Sequence, residues 1–171
     1  MDSTALDATE LNNRALDETA SNDRASNDRA SGDRILTFEL KQPIRWGDMD
    51  SMGHVNNTLY FRYMEQTRIS WFDHMGYAPN PHGQGPIIIN AHCTFIKELV
   101  YPGDILCRHY VGEFGRSTFE TQIEIERSDQ PGLVYASGGS KVVWVDFPTR
   151  KSVALTENIR AMVAKPWVGS T

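Results

Sequence analysis

The pattern of apolar positions predicts one long helix in the middle of the chain. From Tyr60 to Met75, apolar residues recur every three or four positions, which is the spacing of one helix face. Asn56 is a suitable N-cap and Gly76 a suitable C′ residue, so we expect the helix to cover about residues 57–75. We expect its large side chains, among them Tyr63, Trp71 and Phe72, to lie in the core.

The remaining apolar segments are typical of strands. One extended stretch, 35–44, precedes the helix, and four follow it, at residues 87–97, 104–114, 116–127 and 133–146. Gly115 and residues 129–132 mark turns between them, and a short helix is expected at 157–164. This order predicts an α+β fold in which a meander of strands wraps one buried helix.

The N-terminal part has a different pattern. Residues 20–34 repeat a five-residue unit of the type Ala-Ser-Asn-Asp-Arg three times, and a period of five builds no apolar face on a helix or a strand. A segment without apolar surface cannot offset the entropy lost on ordering. We therefore predict a disordered tail at 1–34 and one domain at 35–171, with an interaction arm as the alternative role of the tail.

Composition and charge exclude several classes of function. The 171 residues are 40 % hydrophobic and carry a formal net charge of −5 at pH 7, without a basic cluster, so no nucleic-acid partner is expected. Apolar runs reach only about four residues, too short for a membrane span. The tail has neither a secretory nor a transit composition. Cys93 and Cys107 are expected as buried thiols, so we predict a cytoplasmic protein.

Known catalytic and phosphate-binding motifs are missing. The sequence has no Gly-x-Ser-x-Gly, no Gly-x-x-x-x-Gly-Lys and no His-Glu-x-x-His, and Gly83-Gln-Gly85 runs into Pro86 instead of a helix. Its five histidines show no metal-ligand spacing. We expect neither a metal site nor a cofactor.

The candidate chemistry lies in the polar turn before the long helix. Asp48, Asp50 and His54 are crowded into this turn, and the first N–H groups of the helix, at Asn57 and Thr58, lack acceptors within the helix. Such N–H groups can hold an oxyanion, and a carboxylate beside them makes a workable acyl-transfer site. The alternative is an acidic loop that only caps the helix.

One motif carries a family resemblance: Asp48-x-Asp50-x-x-Gly53-His-Val55-Asn-Asn57-x-x-Tyr60, continuing into Glu65-x-x-Arg68. It resembles the hotdog-fold acyl thioesterases of the 4-hydroxybenzoyl-CoA thioesterase type, in the branch that hydrolyses fatty acyl thioesters. Weaker similarity follows at residues 95–104 and 141–151, so the resemblance spans about 35–165. It implies an antiparallel sheet curled around the long helix, and a homodimer or a dimer of dimers acting on acyl-CoA or another acyl thioester.

The resemblance also implies roles for individual residues. Asp50 would be the catalytic carboxylate, as nucleophile or as general base, and the N–H near Asn57 would polarise the thioester carbonyl. Some relatives have a histidine where this chain has Asn57, so a side-chain acid/base role is lost there. His54 then either takes part directly or shapes the loop by hydrogen bonding. Asp48 is expected to be structural.

Several residues are candidates for substrate contact. Thr58 lies at the helix start, and Tyr60 is expected in the core or in the pocket wall. Without a Gly-rich phosphate loop, the phosphates of coenzyme A would meet side chains at the rim, for which Lys97 and Arg116 are candidates, from the same or the partner subunit. Solvated surface charges are the alternative for both.

Other functions remain open on the sequence. A hotdog hydratase would need an Asp and a His about five residues apart, whereas Asp50 and His54 are four apart. A non-catalytic acyl-binding or regulatory module would keep the fold without needing Asp50. Acyl transfer to an acceptor other than water is also compatible with the sequence, and the acyl chain is not specified.

Overall fold

The computed structural model describes residues 34–78 and 80–169, and in them a single antiparallel sheet accompanies one long helix. The elements follow in the order β1 (Ile35–Ile44), a 3₁₀ turn (Trp46–Asp48), α1 (Asn57–His74), β2 (Gln84–Phe95), β3 (Gly103–Phe114), β4 (Thr118–Arg127), β5 (Val134–Asp146), β6 (Lys151–Ser152) and α2 (Glu157–Val163). The predicted α+β class is confirmed. The largest difference in bounds is at β2, which begins at Gln84 instead of residue 87.

The strand order corrects the predicted meander. The order is β1-β3-β4-β5-β2, with β6 on β5, so only β3, β4 and β5 form a meander, and β2 pairs with β5 at an edge. Residues 96–102 connect β2 to β3, which are not neighbours in the sheet. Leu99 of this connection is fully buried, and the Leu99 carbonyl accepts a hydrogen bond from the Val55 N–H at 2.8 Å. The connection therefore packs against the start of α1.

Helix α1 lies on the sheet through one apolar face. Its buried residues follow the predicted spacing of three or four: Tyr60, Tyr63, Met64, Thr67 and Trp71. Burying a large apolar side chain contributes about 1.5–3 kcal/mol, so this face fixes the helix. The helix begins after the N-cap Asn56 and ends before Gly76, whose φ of +70° is strained for any residue with a Cβ. Both helix signals in the sequence are confirmed.

One residue of the predicted tail lies in the described part of the chain. Residues 1–33 of that tail lie outside the described part of the chain. Arg34, predicted as the last tail residue, belongs to the domain, because its guanidinium pairs with Glu124 at 2.8 Å and lies 4.2 Å from the ring centre of Tyr110.

Candidate active site

The polar turn before α1 is a closed loop with defined hydrogen bonds. Met49 and Val55 form an antiparallel bridge at its base. Within it, the Asp50 N–H donates to the His54 carbonyl at 2.9 Å, and the Gly53 N–H donates to the Asp50 carbonyl at 3.2 Å. Gly53 has a φ of +85°, which glycine adopts without strain. The backbone therefore fixes where the side chains of this loop begin.

The two aspartates of the loop differ in their surroundings. Asp48 is buried, and its Oδ2 accepts hydrogen bonds from the Arg45 N–H at 2.8 Å and the Tyr63 hydroxyl at 2.6 Å. Burial and the hydrogen bond to Asp48 raise the pKa of Tyr63 far above its ordinary value. Asp48 thus links Arg45, the residue after β1, to α1, which agrees with the structural role expected for it.

Asp50 is accessible, and its carboxylate is only partly engaged. The side chain is 25 % exposed; Oδ1 accepts the Met52 N–H at 2.8 Å, and Oδ2 lies 4.0 Å from Nδ1 of His54. Nε2 of His54 lies 3.9 Å from Oε1 of Glu98, so the imidazole stands between two carboxylates. Glu98 was not among the predicted site residues, because only the path of the 96–102 connection brings it to this loop.

The start of α1 offers fewer free donors than predicted. Oδ1 of the N-cap Asn56 accepts the Thr58 N–H at 2.9 Å and the Thr58 hydroxyl at 2.7 Å, and the Asn56 carbonyl accepts the Leu59 N–H. The prediction of a free Thr58 N–H is therefore wrong, since the cap residue occupies it. Among the described residues, no acceptor contacts the N–H of Asn57.

A depression of about 510 Å³ lies over this loop. It is lined by Asp50, Trp46, Met49, Gly47, Gly53 and Tyr101. Trp46 is 78 % exposed and Tyr101 44 % exposed, so two aromatic rings with accessible surface border the Asp50 carboxylate. Neither ring was among the predicted site residues. Tyr101 is 51 residues from Asp50 in the chain and meets it only through the fold.

The other predicted contact residues are not all in this place. Tyr60 is a core residue: it is 2 % exposed, and its hydroxyl accepts the Leu99 N–H at 3.2 Å, which leaves it no surface for substrate. Burial raises the pKa of Tyr60. Lys97 is exposed next to Glu98. Arg116 follows β3 at the far end of the sheet. The two ends of β3 are about 36 Å apart, because a strand rises roughly 3.3 Å per residue. Lys97 and Arg116 therefore do not share a site within one chain.

Within residues 34–78 and 80–169, no group of three or more His, Cys, Asp or Glu side chains could hold a metal ion. In the same part of the chain, neither helix combines the length and the apolar character that a bilayer span requires.

Comparison with known proteins places this fold and loop in a family. The family model described as the thioesterase-like superfamily matches residues 44–163, which include the loop, α1 and the sheet from β2 to β6. The chain belongs to the thioesterase-like superfamily. No curated protein matches this chain.

Solved structures agree with the family. A Pseudomonas aeruginosa protein described as a putative thioesterase is 36 % identical, with a TM-score of 0.70 over 75 % of this chain and 99 % of that one. A Xanthomonas campestris protein described as a putative acyl-CoA thioesterase is 33 % identical, with a TM-score of 0.59; the match covers 64 % of this chain and 92 % of that one. A Synechocystis 1,4-dihydroxy-2-naphthoyl-CoA thioesterase is similar in fold. It is 13 % identical, with a TM-score of 0.67, and the match covers 77 % of this chain and 96 % of that one. The expected hotdog fold is confirmed.

Proposed function

We propose that the protein is a hydrolase of acyl thioesters, with acyl-CoA as its substrate class. The observation that carries this proposal is the Asp50 carboxylate, which is partly exposed in a hydrogen-bonded loop just before α1 of a thioesterase-like chain. Relatives described as thioesterases, one of them as an acyl-CoA thioesterase, support the substrate class.

The proposed chemistry divides between a side chain and a backbone group. Asp50 either attacks the thioester carbonyl or takes the proton from an attacking water. The Asn57 N–H, at the positive end of the α1 dipole, stabilises the oxyanion that develops on the carbonyl oxygen. The thiolate of coenzyme A leaves, and water supplies the second oxygen of the acid product.

His54 is proposed as the residue that positions Asp50. Its two ring nitrogens lie 4.0 Å and 3.9 Å from the carboxylates of Asp50 and Glu98, beyond direct hydrogen bonding. A water can bridge gaps of this size, and catalytic contacts in an empty site often shorten when substrate binds. Glu98, which is 74 % exposed, would then orient the imidazole from its other side.

The function is tested by thiol release from coenzyme A esters. The purified full chain is incubated with acyl-CoA esters of increasing chain length and with one aryl-CoA ester. We expect release well above the uncatalysed rate, with a preference that defines the acyl group. Esters that bind without any release of thiol would contradict hydrolysis and support the alternative of an acyl-binding module.

The role of Asp50 is tested by a single turnover in water enriched in oxygen-18. A nucleophilic Asp50 forms an anhydride with the acyl group; if water attacks the Asp50 carbonyl, one oxygen-18 enters the Asp50 carboxylate and the acid leaves unlabelled. A general base sends the label directly into the acid and leaves Asp50 unlabelled. Oxygen-18 in the peptide containing Asp50, measured by mass spectrometry, therefore identifies a nucleophile. Label in the acid alone is also given by water attack on the acyl carbonyl of the anhydride, so a parallel turnover with hydroxylamine, which converts an anhydride at Asp50 to a hydroxamate, separates that case from a general base.

We also propose that the protein forms a homodimer, or a dimer of dimers, through the free edge of β2. This twelve-residue strand is at the edge of the sheet, and large apolar side chains on or just after it are exposed: Ile87, Ile88, Ile89, Phe95 and Ile96. A long apolar edge strand pairs readily with another strand, and a second copy supplies an identical edge. Light scattering at micromolar concentration should give the mass of two or four chains; a fully active monomer would contradict this.

A further inference from the structure

The depression over Asp50 extends from the carboxylate to two accessible aromatic rings. Trp46 belongs to the 3₁₀ turn that follows β1, and Tyr101 lies just before β3. β1 and β3 are neighbours at one edge of the sheet, whereas β2, the strand proposed to pair with a second copy, is at the other edge. The path from β3 to β2 crosses three strand spacings, or roughly 14 Å along the sheet. The two rings are therefore at the edge away from the proposed subunit interface.

Hydrogen bonds hold the segment that carries Tyr101. The Tyr101 N–H donates to Sδ of Met49 at 3.4 Å, which fixes it against the loop of Asp50. The Arg127 guanidinium donates to the carbonyls of Val100 at 2.7 Å and Pro102 at 3.2 Å, on either side of Tyr101. A wall whose backbone is already fixed loses little further freedom when a ligand binds, so more of the contact energy appears as affinity.

The walls of the depression combine aromatic surface with a single charge. Among the residues that line it, only Asp50 is ionised at neutral pH, and none is a cation. A carboxylate repels phosphate groups at close range, whereas aromatic faces favour contact with alkyl groups and with the N–H groups of amides. The depression therefore suits a neutral chain that carries amides and methyl groups, and it does not suit a nucleotide.

The depression is open at Gly47. The φ of Gly47 is not in the left-handed region, and a Cβ at this position would have no atom within 4 Å. Neither the backbone conformation nor the packing therefore requires a glycine here. A glycine does allow another molecule to approach the backbone closely. The same open space offers a test, because a side chain placed at 47 occupies part of the depression without displacing a neighbour.

We propose that the depression binds the pantetheine arm of the leaving thiol, with Trp46 and Tyr101 as the residues that select it. The inference rests on the proposed hydrolysis of thioesters, which holds the reacting carbonyl beside Asp50. Pantetheine is a neutral chain of amides and methyl groups that ends in the thioester sulfur, so it begins at that carbonyl and leads away over the two rings. Coenzyme A and acyl carrier proteins both carry this arm, and their charged parts then lie outside the depression.

The proposal is tested with thioesters that share one acyl group and differ in the thiol: coenzyme A, pantetheine, N-acetylcysteamine and an acyl carrier protein. The full chain is compared with Trp46→Leu, Trp46→Phe and Gly47→Leu by thiol release. Phe114→Leu is the control, because Phe114 is an exposed aromatic residue at the opposite end of β3. Calorimetric titration with S-methylpantetheine measures binding of the arm without any hydrolysis, so failure of the proposed reaction is distinguished from failure of this site.

We expect the pantetheine ester to have a kcat/KM within a few-fold of that of the coenzyme A ester. The N-acetylcysteamine ester, which lacks most of the arm, should be at least about tenfold lower. Trp46→Leu should lower kcat/KM about tenfold for every ester with the full arm and leave the N-acetylcysteamine ester unchanged. Gly47→Leu should act in the same way, Trp46→Phe should retain most of the preference, and Phe114→Leu should have no effect. Binding of S-methylpantetheine should weaken in the same variants.

Several results would overturn the proposal. Equal use of all the esters by the unchanged chain would mean that the arm has no subsite. An equal loss for all the esters in Trp46→Leu would mean that Trp46 holds the Asp50 loop and not the ligand. A loss confined to the carrier-protein ester would mean that a protein surface docks on the rings. Unchanged binding of S-methylpantetheine in Trp46→Leu, together with a changed mass in light scattering, would assign the rings to a contact between copies of the chain.

The binding measurement separates this site from the reaction. Binding of S-methylpantetheine that depends on Trp46, without thiol release from any ester, would contradict the hydrolase and support the subsite. Thiol release without such binding would support the hydrolase and contradict the subsite.

Discussion

The two ends of helix α1 differ in how their polar groups are satisfied. At the N-terminal end, Asp48, Asn56 and Thr58 are held by short hydrogen bonds. Among the described residues, the Asn57 N–H, Oδ2 of Asp50 and the ring nitrogens of His54 have no partner within hydrogen-bond distance. At the C-terminal half, the Arg68 guanidinium, Nε2 of the buried His109 and the indole N–H of Trp144 all lack a partner among the described residues.

This difference separates positioning from recognition. A reacting carboxylate needs neighbours that hold its loop in one geometry, and the N-terminal end supplies them. Buried polar groups without partners are costly, so an acceptor that reaches them is favoured, with less demand on precise geometry. The following predictions examine whether each end behaves as this contrast requires, beginning with the largest expected effect.

The buried His109 should make stability depend on pH. Complete burial, with the nearby charge of Arg68, lowers the pKa of His109 to about 3, whereas an unfolded histidine has a pKa near 6.5. The folded state therefore excludes a proton that the unfolded state binds, and stability falls as pH decreases from about 6.5 towards 3. Between pH 7.5 and 5 this amounts to about 2 kcal/mol, at about 1.4 kcal/mol per pH unit below 6.5.

The measurement is urea unfolding at several pH values for the unchanged chain and for His109→Phe. Phenylalanine keeps an aromatic ring against Trp71, whose ring centre lies 4.2 Å from that of His109, and it does not titrate. We expect the unfolding free energy of the variant to fall by about 2 kcal/mol less than that of the unchanged chain between pH 7.5 and 5. Identical slopes would mean that His109 binds its proton in the folded protein as well.

The cap at the other end should have a smaller effect on stability. Asn56→Ala leaves the Thr58 N–H without its acceptor and should cost about 1 kcal/mol of unfolding free energy. Asn56→Asp keeps an acceptor oxygen and is the matched control, with little loss expected. Equal losses in both variants would show that the side chain of Asn56 is needed for something other than capping.

Removal of the unpaired cation should act in the opposite direction. Arg68→Met removes a partly buried charge without breaking an ion pair or a hydrogen bond among the described residues, so stability should rise by about 0.5 kcal/mol. Arg62→Met, which breaks the exposed pair with Glu65, should change stability by less than about 0.5 kcal/mol. Destabilisation of Arg68→Met by 1 kcal/mol or more would show that Arg68 has a partner, such as a carboxylate of a second chain.

The smallest effect is expected at the rim of the Asp50 site. Lys97→Gln should raise KM for an acyl-CoA ester a few-fold with kcat nearly unchanged, and added salt should mimic it, because an exposed charge pair is weak and screened. Arg116→Gln should leave KM unchanged, since Arg116 lies at the far end of the sheet. A rise in KM for Arg116→Gln would mean that Arg116 of a second chain reaches the site.

The elements of the fold could be predicted from local pattern, but their pairing could not. The apolar face from Tyr60 to Trp71 and the caps at Asn56 and Gly76 are local signals, and helix α1 has the predicted start and end within one residue. The position of β2 beside β5 is a pairing between distant segments, with Gln84 opposite Asp146 and Phe95 opposite Ala136, which no local pattern shows.

The candidate sites follow the same rule. Asp50, His54 and Asn57 lie within eight residues, so a motif could identify them. Glu98 and Tyr101 join them from a connection about 45 residues away, and a cavity beside Arg68 is formed with β2 and Phe147. Asn56 was predicted as the N-cap, but the N–H group that its side chain would occupy was not, and in the structure it is that of Thr58.

The central claim is that two neighbouring carboxylates, Asp50 and Asp48, have separate roles. It is tested by comparing Asp50→Asn with Asp48→Asn, measuring kcat by thiol release and the midpoint of thermal unfolding for each variant. Asp50→Asn should lose on the order of 100-fold or more in kcat with an unchanged midpoint. Asp48→Asn should lower the midpoint by several degrees, since a charge-assisted hydrogen bond is weakened, while most of kcat remains. Near-native kcat in Asp50→Asn would contradict the account.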